Sequence, residues 1–131
     1  MDRLSAALRP LSKADARAVQ ESIQLIQKGS HAAALVRLTE LNRGNPDNSS
    51  LRILTSYAML QIGNLLGAFE EAGKAHDAPN GNSYKCWFLA KVALLNGKRE
   101  LCEREMKHVR GVGDMKAEVR ALEEELKQRN P

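Results

Sequence analysis

Few side chains in this chain could do chemistry, and along the sequence they are scattered. The three histidines, His31, His76 and His108, fall at turns or helix ends, and none stands with a Cys, Asp or Glu at the spacing of an HExxH or CxxC motif. They are expected to be surface histidines. Cys86 and Cys102 fall on the two helices of one predicted hairpin. The opening residues Met1-Asp2-Arg3-Leu4 lack the apolar stretch of a secretory leader, so a cytoplasmic location is expected. There thiols stay reduced, and small buried thiols are common; a disulfide or a metal between them is the alternative. Gly111-Val112-Gly113 follows no strand and is no phosphate loop, and Glu123-Glu124-Glu125 reads as a solvated helix face. No catalytic residue, metal site or cofactor is expected, and the chain reads as a non-enzyme.

Composition narrows the partners. The chain has 131 residues, 43% of them hydrophobic and 27% charged, which is one domain with enough apolar material for a core. No apolar run approaches the roughly 20 residues of a membrane span. The net charge is +4, but the 20 Lys and Arg form no dense run and are not interleaved with aromatics. Neither nucleic acid nor a membrane is therefore an expected partner.

The elements that must position any site are set by Gly29, Gly63 and Gly97, spaced 34 residues apart. Each closes an apolar, helix-like run, and another run follows within a few residues. The first helix is expected from Ala14 or Asp15 to Lys28, with Val19, Ile23 and Ile26 on one stripe of a 3.6-residue period. A second runs from His31 to Arg43 and is stopped by Gly44-Asn45-Pro46, with Gly44 as a left-handed cap. Asn48 or Ser49 caps a third helix to Ile62, and a fourth covers 65–76, where Gly73 marks either close packing or a weak helix end. After the turn at 78–82, Ser83 caps a fifth helix to Asn96, and a sixth covers 99–109. Asp114 caps a last one to Arg129, whose narrow stripe is Met115, Val119, Leu122 and Leu126. That helix is either the cap of the stack or a coiled-coil strand for a partner.

Two columns of small residues keep the same register. Five places after each glycine stand Ala34, Ala68 and Cys102; seven places before stand Ser22, Ser56 and Ala90. Close helix approach needs small side chains at facing points. A period of 34 with a helix–turn–helix in each unit resembles the tetratricopeptide repeat (TPR). The resemblance implies an all-α, right-handed superhelical solenoid of three degenerate hairpins. Their boundaries are 14–47, 48–81 and 82–112, after an N-terminal extension (1–13) and before a capping helix (113–131). Ala93 departs from the large residue the pattern wants at its column, and Asp114 stands where a proline is expected.

In such repeats the concave wall is lined ten, six and three places before the turn glycine. Here those columns hold Val19, Ile53 and Trp87, then Ile23, Tyr57 and Lys91, then Ile26, Leu60 and Leu94. All but Lys91 are apolar or aromatic. This face reads either as a binding groove or as a face that the stack or a dimer buries. With one lysine on the wall, capture of a peptide's terminal carboxylate is disfavoured, and an amphipathic helix is the expected ligand.

Residues Leu51–Gln128, with Leu51-Arg52-Ile53-Leu54, Trp87-Phe88-Leu89-Ala90 and the closing helix from Val119 to Gln128, resemble the small type III secretion chaperones that hold needle protomers (the YscG/EscG kind). The resemblance implies a cytoplasmic chaperone that hides the C-terminal helix of a needle or filament subunit and prevents premature polymerisation. It also implies a small helical co-chaperone near Val19–Leu41, hence a hetero-oligomer. A generic TPR adaptor in another bacterial assembly is the alternative.

Overall fold

The structure is a computed structural model in which residues 11–79 and 82–129 are described. Among the described residues seven α-helices follow one another: α1 (Lys13–Gln27), α2 (His31–Gly44), α3 (Ser49–Gln61), α4 (Leu65–Asp77), α5 (Tyr84–Leu95), α6 (Arg99–Val109) and α7 (Lys116–Gln128). A 3₁₀ turn at Gly113–Met115 precedes the last. The described residues contain no strand, and the chain is all-α as expected. None of their helices is long and apolar enough to cross a membrane.

The glycine period is visible in the backbone. Gly29, Gly63 and Gly97 have φ of +85°, +83° and +75°, and no other described residue has a positive φ. Each turn closes with the same pair of hydrogen bonds. Ser30, Asn64 and Lys98 donate to the carbonyls of Leu25, Met59 and Ala93 at 2.8–2.9 Å, and the glycines donate to Ile26, Leu60 and Leu94 at 3.0–3.1 Å. This is the Schellman closure of a helix C-terminus, repeated three times; it needs a residue that tolerates the left-handed region.

The other caps differ in part from expectation. Ser12, rather than Ala14 or Asp15, opens α1 and accepts from the Asp15 amide at 3.1 Å. Asn48 caps α3 through the Leu51 amide, and Asn64 caps α4 through the Gly67 amide. Ser83 occupies the cap position of α5 without a side-chain bond; Asn82 instead accepts from the Tyr84 amide at 2.9 Å. Asp114 lies inside the 3₁₀ turn, and the residue at the α7 cap position, Met115, makes no side-chain cap bond. Gly44 is the last residue of α2 and not a left-handed cap. That end is held by Asn45, whose amide group donates to the Leu41 carbonyl and to Asp15 on α1. Residues 1–10, most of the expected extension, and Asn80-Gly81 of the expected turn lie outside the described residues.

Each helix packs on the next in sequence, α3 also touches α5, and α5 touches α7. Both small columns are at the contact points. Ala34, Ala68, Cys102, Ser22, Ser56 and Ala90 are all wholly buried. Ser56 Oγ donates to the Ala68 carbonyl at 2.6 Å, so the second hairpin is drawn together by a hydroxyl from one column and a backbone group from the other. Farther along that interface Ser49 Oγ donates to the Ala75 carbonyl, and Arg52 meets Glu71 at 3.1 Å. Gly73 on α4 has open space where a Cβ would stand, so close packing does not explain it.

Candidate functional site

The nine residues expected on the concave wall divide into two groups. Val19, Ile23, Ile26 and Ile53 belong to the core shared by α1–α5, and Leu94 belongs to the core of α5, α6 and α7; all five are buried. The expected groove is therefore corrected at these positions. The reason is helical geometry. Val19, Ile26, Ile53 and Leu94 lie three before or four after the small column at minus seven, hence on the same helix face. When the small column is drawn under the neighbouring helix, these four go with it; Ile23, one place after Ser22, is covered too, whereas Trp87 and Leu60 of the same two columns stay partly exposed.

Tyr57, Leu60, Trp87 and Lys91 remain partly exposed and are brought together. They line a cavity of about 340 Å³ between α3 and α5, with Gln61, Leu65, Tyr84, Phe88 and Leu95 completing its wall. The chain has one Trp, two Tyr and two Phe, and all but Phe69 line this cavity. Three of the four rings come from one helix: Tyr84, Trp87 and Phe88 stand at i, i+3 and i+4 on α5, so they share a face, and Tyr57 faces them from α3. Tyr84 and Trp87 have ring centroids 5.2 Å apart, and Tyr84 and Phe88 6.4 Å. The Lys91 ammonium stands 5.3 Å from the Trp87 ring centroid, a cation–π contact that keeps the lysine against the wall. Trp87 is fixed from behind, since its indole N–H donates to the Glu118 carbonyl of α7 at 3.0 Å.

An exposed apolar turn reaches the cavity through Leu65. Of the large apolar side chains exposed among the described residues, Ile62, Leu65 and Leu66 (48%, 42% and 63% accessible) sit at the α3–α4 turn; Leu65 itself lines the cavity. Column positions do not point to Tyr84, Phe88, Leu95, Gln61 or Leu65. The aromatic spacing on α5 is the signal available for Tyr84 and Phe88.

The histidines and cysteines are arranged otherwise than their sequence spacing suggests. His76 at the end of α4, Cys86 on α5 and Glu105 on α6 converge, with one ligand-type atom from each within 4.8 Å of the others. Glu105 is buried at 2% accessibility, and its carboxylate faces His76 Nε2 at 2.7 Å, His108 Nδ1 at 3.4 Å and Arg104 Nε at 3.5 Å. His76 Nδ1 lies 3.1 Å from Asp77 Oδ1. Burial, then the nearby Glu105 charge, pushes the Cys86 thiol above its ordinary range. The expectation that the histidines are surface side chains is thus corrected for His76, which is partly buried beside Glu105 and Cys86. Short-motif reading misses the group because its members come from three helices. The two cysteines are free, and Cys102 is wholly buried beside Met106.

No protein-family model and no curated protein matches this chain.

Proposed function

We propose that the chain is a TPR-like solenoid of three helix hairpins with α7 as its cap, and that it shelters an amphipathic helix of a partner protein. The observation that carries this reading is the concentration of aromatic side chains, all but Phe69, around one open cavity that Leu60, Leu65 and Leu95 also line. Aromatic rings give large contact area at small entropic cost, and a helix lays anchors at i, i+3 or i+4 and i+7 into such a groove. The polar groups present, Gln61 and Lys91, suit a helix with a mixed face better than a bare carboxylate. The client we favour is the polymerising C-terminal helix of a type III secretion needle protomer, held together with a small helical co-chaperone in the cytoplasm. Such a helix must be hidden until export, and an apolar groove hides it without catalysis.

Trp87 is the sole tryptophan and reports on its own cavity. Titration with a synthetic peptide of the C-terminal helix of a needle protomer should shift its emission to the blue, saturate, and reduce quenching by acrylamide. Tyr57→Asp should abolish the response while the far-ultraviolet circular dichroism is kept. A titration in which such helices leave Trp87 emission unchanged would overturn the reading. Response to unrelated amphipathic helices with equal affinity would leave the groove but replace the chaperone by a general adaptor.

A further inference from the structure

We propose that His76, Cys86 and Glu105 form a zinc site that ties α4, α5 and α6 together. Imidazole, thiolate and carboxylate are the three donor types that zinc accepts, and a thiolate with an imidazole selects it against magnesium or calcium. Tetrahedral bonds of about 2.0 Å to nitrogen and oxygen and about 2.3 Å to sulfur put ligand atoms about 3.3–3.6 Å apart. The three atoms here already lie within 4.8 Å of one another, and the His76–Glu105 pair at 2.7 Å needs to open only slightly. Side-chain rotation supplies that adjustment.

The surroundings favour the ion over a plain hydrogen-bonded cluster in two ways. His76 offers Nε2 to the group, while its other nitrogen lies 3.1 Å from the Asp77 carboxylate. A carboxylate on the far nitrogen is what orients a metal-binding histidine and places the remaining proton on Nδ1. In addition, the buried Glu105 carboxylate meets Arg104 at 3.5 Å through Oε2, which leaves Oε1 aimed at His76 as the oxygen donor of the group. On binding, the Cys86 S–H bond is replaced by a zinc–sulfur bond and its proton leaves to solvent. The His76 proton moves from Nε2 to Nδ1, and Glu105 binds as the carboxylate. His76 is partly exposed, which gives the ion a way in and leaves the fourth position to water or to His108 on the rim.

The test uses cobalt(II) as a spectroscopic substitute on the full chain, prepared metal-free under reducing conditions. One equivalent should bind with a micromolar or tighter Kd and give a sulfur-to-cobalt charge-transfer band with visible d–d bands of tetrahedral intensity. Zinc in slight excess should remove them. Cys86→Ser should lose the charge-transfer band and Cys102→Ser should keep it. His76→Ala, which removes a ligand at a partly exposed position, should lower affinity by more than the roughly tenfold that loss of an outer partner costs; circular dichroism establishes that each variant is folded. Absence of the band, binding only in the millimolar range, or a band that survives Cys86→Ser or vanishes with Cys102→Ser would overturn the proposal. The Trp87 titration is independent of this outcome.

Discussion

The indole N–H of Trp87 on α5 donates to the backbone carbonyl of Glu118 on α7 at 3.0 Å, joining the cavity wall to the last helix. One side chain thus serves two surfaces: its ring faces the groove and its nitrogen holds α7. Trp87→Phe keeps an aromatic wall and removes the donor. We expect a loss of about 1 kcal/mol in chemical denaturation, the usual worth of one such bond, with weaker docking of α7 visible as faster amide exchange in that helix. An unchanged midpoint would show that α7 is held by its apolar stripe alone.

Gly63 and Gly73 should respond to alanine with opposite signs. Gly63 has φ +83°, so Gly63→Ala forces a side chain into the left-handed region at a cost of about 1–2 kcal/mol. Gly73 lies inside α4 with nothing within 4 Å of an added Cβ. Gly73→Ala should therefore stabilise the protein by about 0.5–1 kcal/mol. Urea denaturation of the two single variants checks both signs.

The small columns should tolerate little enlargement. Ala68 is wholly buried, and the Ser56 hydroxyl reaches its carbonyl at 2.6 Å. Ala68→Leu has no room without separating α3 from α4, and we expect a loss of about 1–3 kcal/mol or more. Leu65→Ser, at an exposed position that lines the cavity, should change stability by no more than about 0.5 kcal/mol. It should nevertheless weaken binding of an amphipathic helix in the Trp87 assay.

The buried thiol of Cys102 gives a pH dependence with a definite sign. Burial pushes it up to about 11, so the folded protein holds this proton more tightly than the unfolded chain does. Above the ordinary thiol range, about 8.5, the unfolded state loses the proton first. Stability is then lost as pH rises toward 11. Denaturation midpoints across that window should fall less steeply in Cys102→Ala than in the parent. Thiol alkylation at neutral pH should spare Cys102 until the chain unfolds.

Helix positions are legible in the sequence because several independent signals agree. The glycines fix the turns, and the paired small columns fix which faces meet, so the observed ends of α1–α6 lie within about two residues of those expected. Caps are less legible. Ser83 and Asn82 are both competent cap residues, and only the local backbone decides that Asn82 makes the bond. The groove is legible in part: Tyr57, Leu60, Trp87 and Lys91 meet, but Val19, Ile53 and Leu94 are covered although they share their columns with Trp87 and Leu60. Assigning such a column to solvent needs the burial that only packing decides. The His76–Cys86–Glu105 group is illegible, because no short spacing joins residues that meet only when three helices are packed.

Packing between consecutive helices has a kinetic consequence. The main helix–helix contacts join elements adjacent along the chain, with α3–α5 and α5–α7 reaching one element farther. Most partners are therefore separated by short stretches of sequence, which is a low contact order, and loop closure costs little entropy before contacts form. Such a topology folds in microseconds to milliseconds and can start from any one hairpin. A newly made chain would thus present its cavity almost as soon as α3 and α5 have left the ribosome.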